Sequence, residues 1–311
     1  MKRCLITYEP LQKGESIYSS KGLRSLNPKL IKLNDFPYSR PQQIKEAQKL
    51  AGKMSIQGVQ PKLSLKLNIK EQKFEICERG GTFILKPQSP DYTHMPENED
   101  VTMKMAKLAG IEVPWHGLIH CEDGSLSYAI KRFDRAGKSK KLALEDFAQL
   151  IGADRQTKYD VSLERVAEVL EQFCTYPTIE AVKLFRILVF SFLVGNEDQH
   201  LKNFSLITRN GKVQLSPAYD LLNSTIVLAS PQEEFALTMG GKKKGFKRKD
   251  FIQEFGMNHL FLPQPKLEKE MDQMLKLIPQ WEKLLEISFL PKDQKEEYAD
   301  LLKARAKRLM A

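Results

Sequence analysis

One stretch constrains this chain more than any other: Gly195-Asn196-Glu197-Asp198-Gln199-His200-Leu201-Lys202-Asn203. Residues 184–194, which lead into it, are apolar apart from Arg186 and Ser191 and read as a buried helix. Phe204-Ser205-Leu206-Ile207, which follows, alternates like a strand. The fold must therefore hold a loop bearing an acid, an imidazole and an amide between two buried elements. Loops carried on rigid scaffolds are where catalytic groups concentrate.

The rest of the chain narrows the classes of protein that present such a loop. The apolar run before it is too short for a membrane span. The opening Met1-Lys2-Arg3-Cys4-Leu5-Ile6-Thr7-Tyr8-Glu9-Pro10 has no apolar signal-peptide core. Cys4, Cys77, Cys121 and Cys174 are scattered without a C-x-x-C pair, which argues against a zinc site and a disulfide framework. A reduced cytoplasm is the expected setting. The formal net charge of +10 favours phosphate-bearing or acidic partners through its field, without choosing among nucleotide, DNA and tRNA-bound proteins.

Organisation follows from periodicity and turn signals. Pro41 opens a short helix to Ala51, and Leu63-Ser64-Leu65-Lys66-Leu67 alternates as a half-buried strand. Phe74-Glu75-Ile76 and Phe83-Ile84-Leu85-Lys86 are further strands, the second preceded by the turn signal Gly80-Gly81. The spacing predicts a polar, proline-bearing loop over 87–96. A helix over 101–109 follows, capped by Asn98-Glu99-Asp100 and stopped by Gly110. Strands over 115–119 and 127–130 flank the turn Glu122-Asp123-Gly124. After Lys131-Arg132-Phe133-Asp134-Arg135 the composition turns hydrophilic and helical periodicity takes over, at 145–151, 163–173 and 179–194. Asn210-Gly211 is a strong hairpin cue. The expected fold is α+β and two-lobed, like a protein kinase. A β-rich N-terminal lobe would span 1–134 and a mainly helical C-terminal lobe 135–311.

Asp198 and Asn203 have the D-x-x-x-x-N spacing of a kinase catalytic loop, in which the acid is the base and the amide holds magnesium. Alone, the pair is a weak signal and reads rather as a solvated loop with an Asp cap. Asp220 lies just beyond a hairpin that starts at the end of the same loop, so its carboxylate can converge on the pair. Phosphoryl transfer uses hard oxygen ligands around magnesium, which Asn203 and Asp220 would supply. His200 is a brace for the loop or a member of it. Lys86, at a strand end, is placed to reach nucleotide phosphates or simply to solubilise a sheet. Glu97, Glu99 and Asp100 are equally near as partners for it. Ser55-Ile56-Gln57-Gly58-Val59-Gln60 would cover the phosphates, although its single glycine makes it neither G-x-G-x-x-G nor a Walker motif. Lys131 and Phe133 stand where a hinge would meet adenine, with Phe133 equally readable as core. The basic loop over 242–249, with Phe246 interleaved, is a solvated face or a contact for nucleic acid or an acidic protein.

Five segments together resemble the HipA family of bacterial Ser/Thr kinase toxins. They are Ser55-Ile56-Gln57-Gly58-Val59-Gln60-Pro61-Lys62, Phe83-Ile84-Leu85-Lys86-Pro87, Lys131-Arg132-Phe133-Asp134-Arg135, residues 195–205 around Asp198, and Leu215-Ser216-Pro217-Ala218-Tyr219-Asp220. They occur in family order. The resemblance implies ATP and Mg2+ as cofactors, Asp198 as catalytic base, and Asn203 and Asp220 on the metal. It implies nucleotide contacts from Lys86, Ser55, Ile56, Gln57, Gly58, Val59, Lys62, Lys131, Phe133, His200 and Lys202, and autophosphorylation at Ser55. Little room precedes the kinase core, which resembles the HipT branch, with a HipS-like small protein and a HipB-like DNA-binding antitoxin as partners. DNA would be engaged indirectly through that complex. An aminoacyl-tRNA synthetase is the implied substrate, tryptophanyl on the HipT resemblance, so that the toxin inhibits translation and promotes persistence. Lys131 departs from the pattern, since an acid is typical there. A small-molecule kinase and a DNA-bound repressor subunit on a kinase scaffold are the competing readings.

Overall fold

The computed structural model describes residues 2–51, 60–137, 140–153, 159, 161–227 and 233–310. The chain divides into two compact units. One comprises Met1–Val101, Pro114–Arg135 and Ile287–Leu290; the other comprises Thr102–Val113, Ala136–Glu286 and Pro291–Ala311. The class is α+β, with strands dominating the first unit and helices the second.

The first unit is built on a five-stranded antiparallel sheet: β1 (Leu63–Asn68), β2 (Lys73–Ile76), β3 (Phe83–Lys86), β4 (His116–His120) and β5 (Leu126–Lys131), in the order β2-β1-β3-β5-β4. Register puts Leu63 opposite Leu85 and Leu65 opposite Phe83. The apolar side chains at alternate positions therefore meet on one buried face, as the period of a strand requires. Phe74 and Trp115 both stand edge-on to Phe83. The helices of this unit begin with α1 (Ser20–Leu26), capped by Ser19 through its hydroxyl, and α2 (Arg40–Ala51). Then comes α3 (Met95–Leu108), within which the division between the units falls. This helix begins earlier than its capping signal suggests, so Glu99 and Asp100 lie inside it rather than at its cap. Pro96, read from sequence as loop, is its second residue, where the missing amide proton costs nothing.

The second unit is organised around α6 (Pro177–Val194), whose residues from Ile187 to Val194 are all buried. It follows α4 (Phe147–Ile151) and α5 (Leu163–Phe173) and packs with α5, α7 (Gln264–Leu275) and α9 (Lys292–Met310); α8 (Ile278–Glu286) joins the last two. Phe192 meets Phe235, Phe246 and Phe251 in an aromatic cluster, and Phe190 stands edge-on to Trp281. A three-stranded sheet, β6 (Leu144–Asp146), β7 (Ser205–Arg209) and β8 (Lys212–Leu215), has the order β8-β7-β6. Asn210 and Gly211 both adopt positive φ, 51° and 74°, as a tight hairpin between β7 and β8 needs. No described helix is long and apolar enough to cross a membrane.

Candidate active site

The loop at 195–203 starts where α6 is forced to stop. Gly195 takes φ +76°, and its amide bonds back to Phe192 O while that of Asn196 bonds to Ser191 O, the paired bonds of a Schellman ending. A side chain at Gly195 would meet Leu301, Asn223 and Thr225 within 2.5–2.8 Å, so only glycine fits this corner. The loop then folds on itself. Asn196 Nδ2 donates to Gln199 Oε1 at 2.7 Å, and Gln199 Nε2 donates to Asn203 O at 3.3 Å. His200 N donates to Asp198 O, and a short 3-10 turn over Leu201–Asn203 closes the stretch.

Within that frame Asp198 is the exposed member, while Asn196, Glu197, Gln199 and His200 are buried. Asn203 Nδ2 donates to the Asp198 carbonyl at 2.8 Å, which fixes the amide across the loop and turns its Oδ1 away from that bond. His200 is buried with Tyr159 edge-on to its ring at 5.1 Å, a bracing arrangement. The Tyr159 hydroxyl donates to Asp198 Oδ1 at 2.9 Å.

Asp220 reaches the same frame through its neighbour. Tyr219 donates its hydroxyl to Lys202 O at 2.8 Å, and the same oxygen lies 2.5 Å from Ser205 Oγ. The start of β7 and the residue before Asp220 are thereby tied together. Asp220 itself is half-buried at φ +55°, a left-handed conformation that is uncommon for a residue with a side chain and that clusters at functional positions. Just beyond it, Ser224 Oγ accepts from Glu197 N at 2.7 Å. Thr225 Oγ1 donates to Glu197 Oε1 at 2.6 Å. Burial pushes the Glu197 carboxyl up, with Thr225 and the Arg305 guanidinium pulling the other way. Sequence reasoning missed this bracket of Glu197, Ser224, Thr225 and Arg305, because its members are far apart in the chain and none belongs to a short motif.

In the first unit, Lys86 Nζ lies 2.6 Å from Glu99 Oε1, and both side chains are almost wholly buried. The three neighbouring acids are thereby told apart. Glu97 takes the Gln88 amide at 2.8 and 3.0 Å, and Asp100 pairs with His116 at 2.7 Å. Lys86 also sits over the Tyr128 ring, opposite which it stands in the sheet. Lys131 is exposed, while Phe133 and Lys62 are half-buried. Asp134 is clamped by Arg132 through two bonds and by Arg135 through one; burial would raise its carboxyl, but these guanidinium contacts hold it below the usual carboxylate range. Ser55, Ile56, Gln57, Gly58 and Val59 lie outside the described residues. In the basic loop Lys244, Lys247 and Lys249 are exposed, as a solvated face requires, but Phe246 is fully buried in the aromatic cluster, and Lys242, Lys243 and Arg248 pair with Asp250, Glu233 and Asp272. The aromatic ring is core, so it is not available to stack on a base.

Within the second unit, Asn203 and Asp220 carry the donor types that a magnesium ion takes. Magnesium is held by one or two carboxylates and substrate phosphates rather than by an all-protein cage. Asp220 offers a carboxylate and Asn203 an amide oxygen whose partner nitrogen is already committed. A buried lysine held by a helix glutamate is the arrangement that positions nucleotide phosphates in kinases.

Comparison with known proteins supplies the family. Residues 54–281 match the family model HipA_C, the HipA-like C-terminal domain. A Haemophilus influenzae protein named "Putative kinase" is 32% identical over 94% of this chain and 92% of its own length. The Serine/threonine-protein kinase toxin HipA of Shewanella oneidensis is 29% identical over 55% of this chain, a match spanning 43% of that protein. Among solved structures, a chain of the Shewanella oneidensis HipA, HipB and operator DNA complex superposes with a TM-score of 0.69 at 24% identity, covering 83% of this chain and 65% of that one. On the family match and the near full-length relative, the chain belongs to the HipA-like family of kinases.

Proposed function

We propose that this chain is a Mg-ATP-dependent serine/threonine protein kinase acting as the toxin of a toxin–antitoxin system. The observation that carries the reading is the bond from Asn203 Nδ2 to the Asp198 main-chain oxygen: it ties the residue whose carboxylate would accept a hydroxyl proton to the one whose amide oxygen would ligate the cation. Asp198 is the base, Asn203 and Asp220 hold Mg2+, and Lys86, kept in place by Glu99, contacts the phosphates of ATP. The cation, when bound, neutralises charge on the phosphates. The remaining nucleotide contacts are assigned to Ser55, Ile56, Gln57, Gly58, Val59, Lys62, Lys131, Phe133, His200 and Lys202. Ser55 is an autophosphorylation site. For His200, burial and contact with Tyr159 favour holding the loop over touching nucleotide.

The partners proposed follow from kinship. The Shewanella HipA complex contains HipB and operator DNA, so a HipB-like antitoxin and, through it, DNA are the expected partners here, with a HipS-like small protein on the HipT reading. An aminoacyl-tRNA synthetase, tryptophanyl first, is the proposed substrate whose phosphorylation stops translation, with the cytoplasm as the site of action. The test is incubation of the purified chain with Mg2+ and γ-labelled ATP, with and without the synthetase. Label on protein serine or threonine is expected, falling at least about 100-fold in Asp198→Asn. Absence of ATP binding and of any label defeats the reading. Label passed only to small alcohols or amino sugars replaces it with small-molecule kinase chemistry.

A further inference from the structure

The least expected contact to Asp198 comes from outside the loop. Tyr159 approaches the carboxylate and donates its hydroxyl proton to Oδ1 at 2.9 Å. This is the geometry a phosphate acceptor takes on a catalytic base, hydroxyl oxygen within hydrogen-bond reach of the group that will receive its proton. The ring is located by its edge-on contact with His200, so the phenol is held to the loop at two points. Burial and the adjacent Asp198 charge raise its pKa well above that of a free phenol, so at neutral pH Tyr159 keeps its proton and acts as donor. The residue is also 38% exposed.

We propose that Tyr159 is an intramolecular phosphate acceptor of this kinase. The inference rests on Asp198 being the base, as argued above. In the step, the bond between the γ-phosphorus of ATP and its β,γ-bridging oxygen breaks and the Tyr159 oxygen bonds to that phosphorus. The phenolic proton passes to Asp198 Oδ1, and ADP leaves. Holding acceptor and base together makes the reaction unimolecular in protein, an advantage that positioned groups exploit strongly. The unmodified phenol occupies the place of a substrate hydroxyl. The phosphorylated one carries about −1.5 to −2 charge. Beside the Asp198 carboxylate that charge is repelled, so the modification also clears the base for an external substrate.

Mass spectrometry of the purified full chain after incubation with Mg2+ and ATP tests this. Phosphotyrosine at Tyr159 is expected. Its rate of appearance should not change over a tenfold range of protein concentration, and it should be lost in Asp198→Asn. Phosphate on other residues with none on Tyr159 overturns the assignment while leaving the kinase reading standing. Phosphate on Tyr159 whose rate rises in proportion to protein concentration overturns its intramolecular character. No phosphate on any residue, or on an added synthetase, defeats the kinase reading and this inference together. A second readout is the lag in phosphorylation of an added protein acceptor. Preincubation with ATP should shorten it at least threefold in the wild type and leave Tyr159→Phe unaffected; an equal effect in both overturns the clearing role.

Discussion

Arg305, on the last helix of the chain, donates through Nη1 to the carbonyl oxygen of Phe192 at 2.6 Å. That carbonyl belongs to the final turn of α6 and also accepts from the Gly195 amide. The other guanidinium nitrogen lies 3.3 Å from Glu197 Oε1, one residue before Asp198, and the guanidinium covers the Phe192 ring at 5.1 Å. A helix a hundred residues downstream thus sets where the loop leaves α6.

Arg305→Met should therefore act on stability and on the loop. The substitution keeps most of the stem's packing but leaves the Glu197 carboxylate buried without its cation. Removing one partner of a buried pair costs about 3–5 kcal/mol. Denaturant unfolding measures the loss. Pairing the change with Glu197→Gln should return about 1 kcal/mol or more, since contacting residues are not additive. A strictly additive double variant would show that the two side chains do not work as a pair.

Gly195 and Gly211 make a matched comparison. Both have φ near +75°, but an added side chain at Gly195 strikes Leu301, Asn223 and Thr225, whereas at Gly211 it meets nothing within 4 Å. Gly211→Ala should cost only the left-handed backbone term, about 1–2 kcal/mol. Gly195→Ala should cost that plus overpacking, about 1–3 kcal/mol more. Thermal unfolding of the two variants checks the order. Equal melting temperatures would mean that the corner after α6 yields more easily than its contacts indicate.

What the sequence made legible has a physical pattern. The sheet of the first unit, the Asn210-Gly211 hairpin and the buried course of α6 are local signals of alternation, turn chemistry and apolar run, and each lies close to where it was expected. The start of α3 was displaced because Pro96 reads as a breaker wherever it stands, whereas the first turn of a helix tolerates it. Phe246 was misplaced because a basic stretch looks solvated throughout, and only tertiary packing shows that its ring turns inward. In the candidate site, Asp198 and Asn203 are singled out by their spacing and Asp220 by the hairpin that precedes it. Tyr159, Tyr219, Thr225 and Arg305 act through long-range contacts, and no spacing announces those.

Lys86 and Glu99 should separate under mutation. Lys86→Met removes the ammonium proposed to meet the phosphates, and phosphoryl transfer should fall by at least about 100-fold, the scale of a lost electrostatic contact in a transition state. Glu99→Gln keeps the lysine and offers it a neutral oxygen, so it should lower transfer less, by roughly tenfold, about 1.4 kcal/mol. Initial rates with labelled ATP at saturating acceptor measure both. A Glu99→Gln variant as inactive as Lys86→Met would mean that the glutamate does more than hold the lysine in place.

Glu234 gives a pH test that does not depend on catalysis. Burial would raise its carboxyl, but the Arg308 guanidinium and the Phe246 and Gly245 amides hold it below the usual carboxylate range. A carboxyl lowered on folding contributes stability that is fully present above its unfolded-state value and is lost as pH falls through the folded-state value. The gap in unfolding free energy between wild type and Glu234→Gln should thus be constant from pH 7 down to about pH 5. It should shrink below about 4.5, where unfolded glutamate begins to take up protons. Urea unfolding at several pH values measures it, and a gap that stays constant through pH 3 would show that the carboxylate charge contributes nothing to the fold. Arg308 Nη2 also donates to Phe246 O at 2.6 Å, so acid should loosen the aromatic cluster around Phe192 along with the pair. Near-ultraviolet circular dichroism, which reports on packed aromatic rings, should then lose signal over the same pH interval in the wild type and show no such step in Glu234→Gln.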